Sequence, residues 1–437
     1  MKRIIAFLLG AIMVFLLCAC NAPNEEPDSV IDEREPPVYH PVSSEIKDLL
    51  EDMTAGNVTV SELKDEDLEK LLSFYLAIFK ESIPKDKKSF LISPLSIAVA
   101  LGMTAEGAAG NTRAEFAEML GFDPEEFSRV LYSHVNNLFS NEKNSKLLGA
   151  NSIWYSNDND FSVNKEYLRR VKDYYSPSLY TVDFCDKKTV SDINSWVSEN
   201  TDRMINEIVK ELDPDTVMVL INTIVFDAKW AEPYGQNQVS NGKFTSYKKE
   251  VSDVKLMSSV ENEYFEYNGA VGFSKYYEGG KYKFVALLPD EGDDIYEFIS
   301  EMDSEKLAKV LEKPEYAMVY AKIPKFTYDY DTSLVESLMN LGLNDVFSRK
   351  NADLSYMATY KDLNIYVSDV IHKTHIEMTE YGTKAAAVTA VFVAKATGAA
   401  PNKIREVNIT LDRPFVYMIV ETETNLPVFI GAVTEIQ

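Results

Sequence analysis

The side chains best able to do chemistry are scarce in this chain of 437 residues: four histidines and three cysteines stand among 69 acidic and 44 basic residues. His372 and His375 are three apart in a β-like run. In a strand they point to opposite faces and cannot share a metal as a helical i, i+4 pair can, so each reads as structural. No GxSxG elbow, HExxH helix, GxxxxGK[ST] loop or paired CxxC is present, which removes the commonest hydrolase, metalloprotease, nucleotide and zinc chemistries. A carboxylate pair for glycoside hydrolysis could be drawn among so many acids, but nothing selects one. The distinctive feature is instead a strand-forming run, 376 to 394, that contains Glu380 and Gly382. Counting by twos, Thr383, Ala385, Ala387, Thr389 and Val391 form one face, all small or β-branched, and Lys384, Ala386, Val388, Ala390 and Phe392 form the other. As a strand, the first face slides onto a packed core without clash while Lys384 stays in water. That is what a segment needs if it is to enter an existing sheet; the alternative is a permanent sheet strand of small residues.

The elements that would position such a run sit in a chain with 46% hydrophobic residues and a formal charge of -25. The balance excludes disordered, collagen-like and polytopic membrane classes and disfavours nucleic acid. Residues 1 to 19 read as a secretory signal: Lys2 and Arg3, an apolar run from Ile4 to Leu17, then Leu17-Cys18-Ala19-Cys20. The run is too short to span a membrane. Its ending resembles a bacterial lipobox with Cys20 as the lipidated first residue of the mature chain, the alternative being an ordinary cleaved signal. Cleavage there removes two basic and no acidic residues and takes the charge from -25 to -27. Two acyl chains on Cys20 would suffice for stable anchoring, and Cys185 would be left as the single unmodified cysteine, so no internal disulfide is expected. Residues 20 to 60, with five prolines and ten acids against Arg34 and Lys47, read as a disordered acidic tether.

From 61 to 437 the pattern reads as one domain. Helical spacing runs over 66–80, 126–140 and 191–211, the last with Trp196, Met204, Ile205 and Ile208 on one stripe. Strand-like runs follow at 217–226, 282–288, 316–323, 363–371, 404–411 and 414–421. Helices first and antiparallel-looking strands later predict an α+β fold.

Four separated segments resemble the serpin family: SFLISPLSIAVALGMTAEGAAGNTRAEF (89 to 116), LINTIVFDAKWAEPY (220 to 234), IPKF (323 to 326) with the pattern at 341 to 347, and VIHKTHIEMTEYGTKAAAVTAVFVAKA (370 to 396) followed by DRPFVYMIV (412 to 420). The resemblance implies mostly antiparallel sheets, N-terminal helices and an exposed reactive-centre loop. It implies a suicide-substrate inhibitor of serine proteases, no enzyme, without metal or cofactor, whose loop is attacked to an acyl-enzyme and then inserts into the central sheet. About fifteen residues at roughly 3.3 Å each carry the protease on the order of 50 Å.

Carried over residue by residue, the family pattern places the hinge at Glu380, Gly382, Thr383, Ala385, Ala386, Ala387 and Thr389, and the scissile bond, fourteen residues after Gly382, between Ala396 and Thr397. The longer stretch 397 to 411 leaves Lys395, and residues to Ala400, as alternatives. Alanine suits an elastase-like or subtilisin-like pocket; Lys395 would suit a trypsin-like one. Ser93, Ser96, Asn222 and His372 match the polar shutter beneath the sheet opening, and Trp230 the tryptophan of the breach at the point of first insertion. Tyr381 and Lys384 stand where many relatives have acids, which implies an altered insertion rate. The expectation is an extracellular, membrane-anchored lipoprotein and a monomer. A non-inhibitory serpin would carry a Pro, a charge or a bulky group on the inserting face, and a solute-binding lipoprotein would show two α/β lobes; neither pattern occurs.

Overall fold

Ser93 and Pro94 start a helix for local reasons. The Ser93 hydroxyl accepts the Ser96 N–H at 3.2 Å, and Pro94 sits in the first turn, where its missing N–H costs nothing. Every residue from Pro94 to Ala105 is buried, as expected for a helix apolar on all sides. This helix lies at the centre of the chain's fold. The computed structural model describes residues 46–138, 145–158, 160–213, 216–360, 364–383 and 404–436.

In chain order the described elements are β1 (Lys47–Asp48), α1 (Asp65–Glu81), β2 (Phe90–Ile92), α2 (Pro94–Ala105), α3 (Gly110–Leu120) and α4 (Pro124–Leu138). There follow β3 (Ser145–Ser156), β4 (Phe161–Val163), α5 (Lys165–Tyr174), β5 (Ser178–Val182), α6 (Lys188–Asn200) and β6 (Met218–Lys229). The second half is mostly strand: β7 (Val239–Thr245), β8 (Val251–Tyr267), β9 (Ala270–Tyr276), β10 (Tyr282–Leu288), then α7 (Ile295–Ser300) and α8 (Ser304–Glu312). The chain ends through β11 (Glu315–Pro324), β12 (Phe326–Ser333), α9 (Val335–Asn340), β13 (Ala358–Tyr360), β14 (Val370–Met378), β15 (Gly382–Thr383), β16 (Glu406–Thr410), β17 (Phe415–Glu421) and β18 (Pro427–Val433).

Two large sheets carry the architecture, which is the α+β class read from the sequence. The first has seven strands in the order β1-β5-β3-β6-β15-β14-β12, and the second nine, including the path β16-β11-β8-β9-β10-β17-β18-β2. Most pairings are antiparallel; β3 with β5, β6 with β14, and β11 with β16 are parallel. The main core lies between the sheets and the first helices. A second cluster, with Trp154, Trp196, Val219 and Ile221, fills the space under α6 on the other face of the seven-stranded sheet. Covered on both faces, β6 is buried continuously from Met218 to Phe226 rather than at alternate residues.

Three sequence expectations change. The helix expected over 191–211 stops at Asn200, because Asp202 and Arg203 adopt positive φ. The remainder returns as an extended segment held by the Asn194 amide oxygen, which accepts from Ile208 N and Val209 N at 2.8 and 3.0 Å; Ile205 still packs on the same cluster. The strand expected over 363–371 begins only at Val370, while Ile365 and Val367 are buried without a ladder. The tether expected over 20–60 ends earlier. β1 pairs with the edge of β5, Leu50 is buried, and the Gly56 N–H donates to Asp173 at 2.6 Å. Ile46, Leu49, Leu50 and Met53 supply the apolar surface that fastens this stretch to the domain.

Candidate functional site: the opening of the seven-stranded sheet

β6 and β14 meet directly over only four residue pairs, Val370–Lys373 against Leu220–Thr223. Beyond them the sheet is held by β15, which pairs with both neighbours, Gly382 and Thr383 against β6 and Thr383 against Met378 of β14. The run read from the sequence as one strand over 376–394 is thus divided: Ile376–Met378 end β14, the chain turns at 379–381, and Gly382 and Thr383 form β15 between the two neighbours.

At the direct contact, strand register aligns Asn151 of β3, Asn222 of β6 and His372 of β14 in one cross-strand row, and α2 brings Ser93 and Ser96 beneath it. The Asn222 amide oxygen accepts from the Ser96 hydroxyl at 2.6 Å, and its NH₂ donates to the Ser96 carbonyl and to Asn151 Oδ1. The Ser93 hydroxyl donates to Val428 O at 2.7 Å. The Ser93 N–H donates to His372 Nε2 at 3.1 Å. That nitrogen must then be the acceptor, so the proton sits on Nδ1 and is donated to Asn222 Oδ1 at 3.1 Å. Asn222 and His372 are buried, Asn151 half-buried, and burial lowers the His372 pKa to about 3. A second ring proton would point at the Ser93 N–H, so the network is complete only with a neutral imidazole.

At the upper end, Trp230 stacks on Tyr277 with ring centroids 4.4 Å apart and 13° between planes. Its indole N–H donates to Thr379 O at 3.0 Å. Backbone bonds from Trp230 N to Tyr381 O and from Tyr234 N to Glu380 O, both 2.9 Å, pin the turn that leads into β15. Thr383 is buried with its hydroxyl 2.6 Å from Tyr277 OH. Glu380 pairs with Lys325 at 2.5 Å. Partial burial works to raise the Glu380 pKa, but the Lys325 hydrogen bond and charge outweigh it and leave it below the usual carboxylate value. Gly382 has φ +155, and a Cβ there would lie 2.0 Å from Ala228 O, so the close approach to β6 admits no side chain.

Of the residues singled out from the sequence, Ser93, Ser96, Asn222 and His372 come together in one network, and Trp230, Glu380, Gly382 and Thr383 in another. Ala385, Ala386, Ala387, Thr389, Lys395, Ala396, Thr397 and Cys20 lie outside the described residues. His375 faces away from His372 and bonds Asp329 at 2.7 Å. Sequence reasoning missed Asn151, Tyr277 and Lys325. A lone Asn inside a strand run was a signal for the first; only tertiary contact marks the other two.

The family model described as Serpin (serine protease inhibitor) matches residues 69–436. The chain belongs to the serpin family. It is 30% identical to leukocyte elastase inhibitor A of Mus musculus, over 82% of this chain and 97% of that protein. It is 29% identical to neuroserpin of Homo sapiens, over 80% and 86%. Among solved structures, the thermophilic serpin tengpin in the native state superposes with a TM-score of 0.84 at 38% identity, covering 90% of this chain and 100% of that one. Thyroxine-binding globulin in complex with thyroxine superposes at 0.73 with 26% identity, over 86% and 100%. As a serpin, the chain is of a family of protease inhibitors rather than enzymes.

Proposed function

We propose that this serpin is an irreversible suicide-substrate inhibitor of serine proteases, elastase-like or subtilisin-like, cleaved between Ala396 and Thr397. The observation that carries the reading is β15: Gly382 and Thr383 already stand between β6 and β14, with Thr383 buried on Tyr277. The residues that follow continue the same small-residue alternation. The protease serine attacks the Ala396 carbonyl, the peptide bond to Thr397 breaks, and the new amino terminus leaves, so that the loop stays joined to the enzyme as an ester. Insertion from Ala385 onward then extends the ladder between β6 and β14 before water hydrolyses the ester. The separation requires exchange of the Asn222–His372 bond, which makes the polar row a shutter, and passage past Trp230, which makes the aromatic cluster a breach. The names of the elastase-inhibitor relatives favour the small-residue pocket.

The remaining assignments belong to the same proposal: residues 1–19 are a lipoprotein signal, Cys20 is the lipidated anchor of a bacterial extracellular protein, and the domain is a monomer. Incubation of the folded domain with elastase, subtilisin and trypsin tests the function. An SDS-stable covalent band is expected, with mass spectrometry placing the released fragment's start at Thr397; a start at Ala396 moves the bond to Lys395 and to a trypsin-like target. Cleavage of the loop by active, uncomplexed protease would overturn the reading in favour of a non-inhibitory binding serpin, a class that the likeness to thyroxine-binding globulin keeps specific. Incorporation of labelled palmitate that is lost in Cys20→Ser tests the anchor.

A further inference from the structure

Two lysines are buried among aromatic rings close to the upper end of the seven-stranded sheet. Lys275 on β9 and Lys283 on β10 have side chains only 4% and 5% exposed, each against a glutamate of β8: Lys275 Nζ is 3.0 Å from Glu261 and Lys283 Nζ is 3.1 Å from Glu263. Phe284 is the register partner of Lys275, and Tyr276 that of Lys283, so the two side chains leave the strand pair on opposite faces. A buried ion pair costs desolvation, and apolar residues of similar volume often give equal or greater stability. Stability alone therefore does not account for either lysine.

Their surroundings separate the two pairs. The Lys283 ammonium lies 5.9 Å from the Phe265 and Tyr276 rings, and Glu263 accepts from the Ser274 and Tyr276 hydroxyls; all of these groups belong to β8, β9 or β10. The Lys275 ammonium instead faces the chain that leaves β6, 4.6 Å from the centre of the Tyr234 ring and 5.6 Å from that of Trp230. Both distances are within reach of cation–π attraction. The same two residues frame the turn into β15: the Trp230 N–H and indole N–H donate to the carbonyls of Tyr381 and Thr379, and the Tyr234 N–H donates to that of Glu380. Three consecutive carbonyls, 379 to 381, are thus held by two residues whose rings share one cation. An apolar side chain at 275 could fill the space but could not attract both rings, so the charge has a task that packing does not perform.

We infer that Lys275 is a positioning residue for loop insertion: its ammonium, held by Glu261, fixes the Trp230 and Tyr234 rings and through them the turn at 379–381 from which β15 starts. The inference rests on the inhibitor reading and deepens it. Lys275 is buried and touches neither the protease nor the scissile bond. It acts by keeping Gly382 and Thr383 seated between β6 and β14, so that the residues after them add in register from a fixed start. Without the cation the turn is free to shift, insertion starts later, and water hydrolyses more of the acyl-enzyme. Lys275 therefore sets how the acyl-enzyme divides between trapping and release, and not how fast the loop is attacked.

The test uses the full-length protein with whichever of elastase, subtilisin and trypsin the wild type traps fastest, and compares Lys275→Met/Glu261→Gln with Lys283→Met/Glu263→Gln. Each double variant removes one buried cation and the charge of its partner, so a loss of stability is common to both. Only the first is expected to lower the ratio of trapping to release, by about fivefold, read as covalent complex against cleaved, uncomplexed chain, while the second-order rate of loop attack stays near that of wild type. Lys275→Gln/Glu261→Gln, which exchanges the cation for a hydrogen-bonding amide, should give the same shift and serves if the methionine variant does not fold. An unchanged ratio in the Lys275 variants would overturn the inference. So would an equal fall in the Lys283 variant, since that would trace the effect to stability alone. Absence of any covalent complex with the wild type would remove the inhibitor reading and this role together, a result visible before any variant is made.

Discussion

β6 and β14 are joined at two places built on different chemistry. Over Val370–Lys373 they touch directly, and the contact is a polar row, buried Asn222 and His372 with half-buried Asn151, standing on Ser93 and Ser96. At the upper end β15 stands between them, and the contact is an aromatic stack, a threonine hydroxyl on Tyr277 and a half-exposed ion pair. Buried polar groups are worth most when every partner is present and cost most when one is missing. Such a row is all-or-none, because breaking one bond strands the partners that share it. The upper site rests on packing and one short strand, which can lengthen a pair at a time. Under the proposed mechanism, a strand begins to enter at the upper site and the polar row must give way for it to continue.

The largest effect should come from Thr383→Arg. Thr383 is buried against Tyr277 and leads the face proposed to insert, and an unpaired guanidinium there costs several kcal/mol. The expected result is conversion from inhibitor to substrate, read as a stoichiometry of inhibition raised roughly tenfold or more while the loop is still cleaved; unchanged stoichiometry would sink the assignment of the upper site. Next, Asn222→Ala leaves the His372 Nδ1–H and the Ser96 hydroxyl without partners and should destabilise the fold by about 2–4 kcal/mol in denaturant unfolding. A loss no larger than that of an exposed Asn→Ala would show that the row is not the closure.

Acid separates the two sites further. The His372 pKa is lowered from 6.5 to about 3 in the fold, so its contribution is complete above pH 6.5 and is lost progressively as pH falls toward 3. His134, buried in α4, is lowered to about 4 and acts in the same direction. In a His134→Leu background, stability should fall by about 1.4 kcal/mol per pH unit between pH 6 and 5, and a flat profile there would contradict the neutral-imidazole network. The Lys325–Glu380 pair behaves otherwise: the Glu380 pKa lies below 4.5, so its contribution is complete above pH 4.5 and lost only as pH falls through that lower value. The smallest effect belongs to Lys325→Met, about 1 kcal/mol or less for a partly exposed pair, measured as the thermal midpoint at pH 7; a loss of several kcal/mol would place the closure at the upper site instead.

Much of both sites was legible beforehand, for reasons tied to particular residues. Ser93, Ser96, Asn222, His372 and Trp230 sit in short motifs whose spacing carries the family likeness, and Thr383 begins an alternation that only a strand explains. Asn151 escaped because its role depends on register between β3 and β6, strands far apart in sequence. Lys325 and Tyr277 escaped because a lysine after a strand and a tyrosine in a run of aromatics look ordinary until folding brings them to Glu380 and Thr383. The helix expected to 211 failed at two residues, Asp202 and Arg203, whose positive φ periodicity does not reveal. The tether was drawn too long because composition averaged Ile46, Leu49, Leu50 and Met53 into the acids and prolines around them.

By itself the sequence determined the fold class, the order of helices and strands, the family, and which run has the side chains to become a strand. These follow from local properties: apolar period, capping chemistry and side-chain size. Tertiary structure alone decided that Gly382 and Thr383 of this run pair between β6 and β14, and that His372 is held neutral with its proton on Nδ1. Each of these depends on strand register and on which distant groups share a buried or open space, and a register shift of one residue would reverse every face without altering a single local preference.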